Sequence, residues 1–369
     1  MGKEQITMKH GASMVALFVI GSSLVLGISN NSKQDAWISV LIAFAAMLPI
    51  IYIYSRILSR YPGMHVFDIC IAVFGKIIGR VVIVLLVWYA VHLGALVMRN
   101  FSEFIHITAF NQMPQTVSLL AFAVLLIWAT RSGVETLGRY SSVALPVLLV
   151  VVGLTVVLLI KDMKLDNLLP IGENLPQVPR DAFNNFSFPF AEVVLFLAVF
   201  NTLKTGDKPG KAWLYGLLVG GAALLFGGAF RNVLVLGYPA VTDMTFPSYG
   251  ATSVIIAGGF LSRIEAVVGA NILMAGLVKV SVCLMAASRG VATLIGESDY
   301  RPYVAPLGLL MVALASIVYQ NTMEMFSFIK VYSFYAFPFQ VLIPVVLAIG
   351  AEIRFAIGRK GEKKEKPVK

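Results

Sequence analysis

Charge is what this sequence has least of. Only 13% of its 369 residues are Asp, Glu, Lys or Arg, about half of the ~25% usual in soluble domains, which excludes an ordinary water-soluble fold. Cysteine is nearly absent as well: Cys70 and Cys283 are too few and too badly placed for a disulfide framework or a metal site, so no metal or cofactor is expected. The chain also lacks a phosphate-loop glycine pattern with Lys, a His-Glu-x-x-His pair and a nucleophile elbow, so ATP hydrolysis and the other enzymatic chemistries those motifs serve are not expected. No long polar linker divides the chain, the longest hydrophilic stretch being 161–186. One domain over 1–355 is expected, followed by a basic tail, 356–369. The N-terminus has no short apolar region ending in a small-residue cleavage site, so the first apolar run reads as a retained helix.

What fills the chain instead is apolar sequence, 58% of all residues. Charge-sparse runs fall near 11–29, 36–55, 81–98, 115–130, 140–160, 187–203, 212–230, 266–288, 303–323 and 331–351. About 20 apolar residues cross the ~30 Å hydrocarbon core as a helix, whereas barrel strands are about half that length and alternate polar with apolar. The expected fold is all-α and embedded in a lipid bilayer, with ten transmembrane helices. With the N-terminus inside, twenty of the 29 Lys and Arg lie in inner segments, eight outside (Lys33, Arg99, Lys161, Lys164, Arg180, Arg231, Arg263 and Lys330) and one, Lys279, within a span. That bias predicts both termini on the cytoplasmic side. An eleventh span over 246–262, "FPSYGATSVIIAGGFLS", would put the basic tail outside, so this stretch reads as a re-entrant or interfacial segment. The net charge of +10 sits where it faces an anionic leaflet, and no nucleic-acid partner is implied.

Ten spans divide into five and five, and an odd number per half inverts the second half. In transporters built this way the site lies near the midplane, where interrupted helices of the two halves meet. The first span carries "VIGSSLVLG" (19–27) and the sixth carries "FSFPFAE" (186–192), so helices 1 and 6 are expected to be discontinuous. Proline restricts its predecessor to extended backbone. The sixth span is therefore expected to be unwound up to about Pro189 and helical from about Phe190 onward, with Phe186, Phe188 and Phe190 lining one side of the extended part. Amides freed at a helix start favour an anion, while freed carbonyls and Glu192 favour a cation or an ammonium. A site with both features, repeated at Gly21, Ser22 and Ser23, suits a zwitterion such as an α-amino acid. The plainer alternative is a kink at Pro189 with Glu192 protonated or paired. Glycines of the seventh span read as close helix packing.

Lys279 is the second intramembrane charge, about ten residues from Arg289 and so ~15 Å along the helix. Two roles fit: a tethered cation that replaces a bound sodium ion or relays protons, or half of an ion pair with Glu192. In the third span Tyr89 and His92 share one helical side, with Tyr89 placed to floor a pocket and His92 reading as an interhelical hydrogen-bonding residue. Intramembrane ionisable groups are functional candidates by default.

The stretch "FVIGSSLVLG" resembles the broken first helix of the amino acid–polyamine–organocation superfamily, Ile-Gly-Ser-Gly, with Ser23 in place of the second glycine. "FPFAE" resembles its sixth-helix Phe-x-Gly-Phe-Glu pattern, with Phe190-Ala191 for Gly-Phe. The segments "RYPGMHVFDICIAVFGKIIGR", "ETLGRYSSVALPVLLV", "NLLPIGENLPQVPRDAFNNFSFPFAEVVLF" and "LSRIEAVVGANILMAGLVK" resemble the endospore germination permease family, the B subunits of spore nutrient germinant receptors. The resemblance implies a subunit of the spore inner membrane that binds a nutrient germinant, an amino acid by preference, and triggers germination with A and C subunits. The rival expectation is a proton-coupled amino acid transporter. The resemblance implies pocket residues Gly21, Ser22, Ser23, Phe190, Ala191 and Glu192, to which Tyr89 and Phe188 are added from their positions, and ion or proton coupling at Lys279 and Glu192.

Overall fold

A computed structural model describes residues 4–28, 31–255 and 264–364. Backbone polar groups have no water to bind in a bilayer, so a spanning segment must satisfy them internally. Among the described residues the result is helix almost throughout, with one isolated bridge between Ile6 and Leu203. The first five helices run Met8–Leu26, Ala36–Arg60, Val66–Thr108, Gln115–Arg131 and Gly133–Leu159. The sixth is assembled from pieces between Val178 and Thr202. The seventh, Pro209–Leu224, continues through a wider turn to Leu236. Ile264–Ile295, Arg301–Ile317 and Thr322–Phe337 complete the set, the last extended through a wide turn by Ile343–Lys364. Seven of these stretches are long and apolar enough to cross a membrane, and two more are apolar helices of the fourth and ninth positions.

The first and eighth helices form the centre. Met14 to Ile20 and Val282 to Ala287 are fully buried, while residues such as Val124, Trp128, Val143 and Val150 on the flanking helices are more than 60% exposed, as a lipid-facing rim requires. Gly216 of the seventh helix lets the first helix approach so closely that a Cβ there would sit 2.5 Å from that of Val15. This is the close packing the sequence suggested for the seventh span's glycines.

Two differences from the sequence reading have local causes. The segment before the third span folds as a helical arm instead of a loop. His65 caps its start by accepting from the Asp68 amide, Phe67, Ile69 and Cys70 bury against the bundle, and Gly75 at φ +80° turns the chain into the long helix. The stretch 246–262 holds a short helix, Pro247–Ser253, and residues 256–263 lie outside the described residues.

Candidate functional site

The sixth helix breaks where its proline dictates. Pro189 has no amide to donate and forces its neighbour out of the helical region. Phe188 accordingly stands at φ −126°, ψ 112° inside the wide turn Phe186–Phe190. Two parts of the expectation are corrected. The chain before the break, the end of the hydrophilic stretch 161–186, is helical from Val178 to Asn185, and the chain after it is a tight 3₁₀ helix, Ala191–Ala198. The groups this geometry frees find side-chain partners: Gln340 Nε2 donates to the Ser187 carbonyl at 2.9 Å and Ser187 Oγ to Gln340 Oε1 at 2.8 Å. Trp213 Nε1 donates to the Val193 carbonyl and Arg289 to that of Ala198.

The first helix does not break at Gly21–Ser23, contrary to the sequence reading. It runs unbroken to Leu26 and ends on Gly27 at φ +80°. Gly21 serves packing, since a Cβ there would lie 3.0 Å from the Ala275 carbonyl oxygen. Ser23 Oγ donates back to the Val19 carbonyl, which satisfies a hydroxyl in an apolar helix without unwinding it. The side chain of Ser22 lies outside the described residues.

Four of the predicted residues meet beneath the break. Glu192 and Lys279 are fully buried and form an ion pair, Nζ to Oε2. The other carboxylate oxygen accepts from Tyr332 Oη at 2.6 Å. Tyr332 in turn shares a hydrogen bond with Tyr89 at 3.2 Å, and Gln340 Nε2 donates to Tyr89 at 2.9 Å. The Lys279 ammonium lies over the rings of Phe18 and Phe188, 4.9 and 5.1 Å from their centroids, where aromatic quadrupoles favour a cation. Both oxygens of Glu192 are thus engaged by the protein. Phe190 and Ala191 point elsewhere: both are fully buried, and Phe190 packs edge-on against Phe44 at 6.2 Å. His92 is held among Trp88, Tyr335 and Phe328. Arg99 pairs with Glu103 at 2.9 Å, both buried.

Tyr332 and Gln340 escaped the sequence reading. Each is a polar group in the apolar run "VYSFYAFPFQVLIPV", and the polar-in-membrane criterion that flagged Lys279 would have flagged Gln340 too.

Above the pair, toward the end of the bundle where the first helix finishes, a cavity of about 480 Å³ opens. Its floor includes Phe188 and Tyr332, and its walls carry Asn184, Asn232, Arg180 and Lys330. The volume is that of a small-molecule site, and Tyr332 belongs both to its lining and to the Glu192 network. At the opposite end, where the chain begins, residues 4–8 strap the bundle. The Ile6 amide donates to Thr202 O at 2.8 Å and the Lys204 amide to Ile6 O at 3.0 Å, Met8 N donates to Asp207 at 2.8 Å, and Glu4 pairs with Arg301 and, at 3.6 Å, with Arg289. Ile6 is fully buried beneath them.

Comparison with known proteins adds to this geometry. A family profile described as spore germination protein matches residues 5–349. Spore germination protein KB of Bacillus subtilis (strain 168) is 27% identical over 359 residues, 95% of each chain. Spore germination protein GerQB of Bacillus cereus is 24% identical over 323 residues, 86% of this chain and 84% of that one. Among solved structures, MhsT in complex with L-phenylalanine matches with a TM-score of 0.71 at 14% identity, over 94% of this chain and 89% of that one. Mhp1, a nucleobase-cation-symport-1 family transporter in a closed conformation with bromovinylhydantoin bound, matches with a TM-score of 0.60 at 11% identity, over 89% and 75%. At such identities the structural likeness is one of fold, and the fold is that of these transporters.

Proposed function

Since the chain belongs to the spore germination protein family, we propose that it is the B subunit of a nutrient germinant receptor, a multi-pass membrane protein that binds a small nutrient in the 480 Å³ cavity and signals its occupancy. The face strapped by residues 4–8 is assigned to the spore core and the cavity to the outside, from the Lys and Arg bias of the loops. The spore inner membrane is its proposed location, and A and C subunits are its proposed partners.

The observation that carries the reading is the position of Tyr332. Its ring lines the cavity while its hydroxyl holds Glu192 of the buried pair. A ligand pressing on Phe188 and Tyr332 therefore acts on the break of the sixth helix and on the only charges in the midst of the bundle that the sequence reading singled out. Such a ligand shifts a conformational equilibrium to the extent that it favours one arrangement of those groups. The test is germination of spores carrying Thr242→Trp, a bulky side chain at an exposed position of the cavity wall. The expected result is a receptor at normal abundance with its nutrient response reduced at least tenfold. A normal response would remove the cavity from the mechanism.

The fold shared with MhsT and Mhp1 favours a second reading, proton-coupled amino acid transport. It predicts saturable uptake by the purified chain alone in liposomes, whereas the receptor reading predicts ligand binding without net uptake.

A further inference from the structure

Asp181, Asp35 and Glu192, which pack behind the cavity, are occupied by the protein's own donors, and Asp243, exposed beside the lining residues Thr242 and Met244, is not itself part of the lining. Asp181 accepts from the Asn31 side chain, the Ser32 amide and the Ser32 hydroxyl, each at 2.7 Å. Asp35 accepts from the amides of Gly172 and Asn174 at 2.8 and 3.0 Å, and Glu192 is held by Lys279 and Tyr332. Among the described residues, no Asp or Glu lines the cavity.

The cations are in the opposite condition. Arg180 and Lys330 line the cavity, are exposed, and have no ion-pair or hydrogen-bond partner among the described residues. Behind the wall, Arg231 is 2% exposed and among the described residues is held by neutral oxygens alone: Thr155 Oγ1 at 2.8 Å, Asn232 Oδ1 at 2.9 Å and the Ser248 carbonyl at 3.2 Å. Asn232, which takes two of its hydrogen bonds, is itself part of the cavity wall. A buried guanidinium without a carboxylate keeps its field unneutralised in a low-dielectric surround, and a recess lined by one sign of charge concentrates the opposite ion.

We propose that this cavity is anion-selective and takes its small-molecule ligand by a carboxylate, held between Arg180 and Lys330 with Arg231 supplying field from behind. The inference rests on the cavity being the ligand site and narrows what enters it. An amine on the same ligand meets only neutral oxygens, and organic cations are refused.

The test uses the full-length protein in lipid nanodiscs with Thr242→Cys on the cavity wall. Cys70 and Cys283 are fully buried, and the protein without the added thiol sets the background. Labelling rates are compared for 2-sulfonatoethyl methanethiosulfonate, an anion, and its 2-(trimethylammonium)ethyl counterpart, a cation. Relative to a free thiol, the anionic reagent should be favoured by about tenfold, less so in 1 M salt. The preference should vanish in Arg180→Gln/Lys330→Gln, which removes two exposed, unpartnered side chains and leaves the packing untouched. A ratio equal to that of the free thiol, or one that survives the double variant, overturns the proposal.

Protection by L-lactate, L-alanine, L-alaninamide and D-glucose then identifies the source of the carboxylate. Slowing by lactate and alanine shows that the acid group suffices, and slowing by alanine alone shows that the carboxylate arrives on an amino acid. Slowing by glucose or alaninamide alone overturns the anion inference and leaves the cavity as a ligand site. Slowing by none of the four, with a normal nutrient response in Thr242→Trp spores, removes the cavity reading itself, while the reagent ratio still decides the charge preference.

Discussion

Replacing Glu192 by Gln tests whether the buried pair is an energetic unit. The substitution keeps the shape of the side chain and an oxygen for Tyr332, and removes only the charge facing Lys279. The ammonium then stays fully buried between Phe18 and Phe188 and loses the carboxylate it faces. Removing one member of a buried pair costs about 3–5 kcal/mol because the other charge stays desolvated. Cation–π contact with two rings returns about 1–2 kcal/mol, but those contacts exist in the intact protein as well and cancel in the difference. Lys279→Met leaves Glu192 with Tyr332 as its one remaining hydrogen-bonding partner among those described, and should cost a similar amount. The double variant removes both charges and fills the volume with an apolar side chain, so it should recover most of the loss. The assay is a double-mutant cycle on denaturant unfolding in detergent micelles, with a coupling of about 5 kcal/mol or more expected, since the two single losses add while the double variant keeps only a small one. Additive losses, with the double variant the least stable of the three, would refute the reasoning, since the two charges would then stabilise the fold through separate surroundings.

Tyr332→Phe removes one hydrogen bond to a carboxylate and one to Tyr89, and should destabilise the protein by about 1.5–3 kcal/mol; a smaller loss when it is made in the Glu192→Gln background would show that the hydroxyl and the ammonium act on one network. Gly21→Val should prevent stable folding, measured as loss of a monodisperse species in detergent, because its Cβ meets the Ala275 backbone. Ser23→Ala should change stability by less than about 1 kcal/mol, since it loses only an intrahelical bond to Val19 of the kind that slightly destabilises helices. Glu4→Gln frees Arg289 and Arg301 from their shared carboxylate, and faster hydrogen exchange of the Ile6 and Lys204 amides is expected because the strap they form loses its ionic anchor.

The interruptions show where sequence reasoning holds. At Phe188–Pro189 the outcome follows from covalent structure, because proline lacks an amide and crowds its predecessor wherever it stands. Gly21 has no such compulsion. Glycine permits a break and equally permits contact with a neighbouring helix, and the choice falls to the eighth helix, whose Ala275 carbonyl occupies the space. The same holds for the 3₁₀ form of Ala191–Ala198, whose carbonyls depend on Trp213 and Arg289, side chains 20 and 91 residues away in sequence.

Composition and periodicity alone determined that the chain crosses a membrane as helices, because unpaired backbone groups in hydrocarbon cost more than any local preference returns. They also marked Glu192 and Lys279 as exceptional, since charge inside a span requires a partner wherever the span is placed. That they are each other's partner, that Tyr332 ties them to a cavity, and that Asp35 and Asp181 are held by the protein's own donors while Arg180 and Lys330 meet no partner among the described residues were decided by tertiary structure. These are relations between residues far apart in sequence, and only the packing of the helices sets the distances on which Coulomb and hydrogen-bond energies depend.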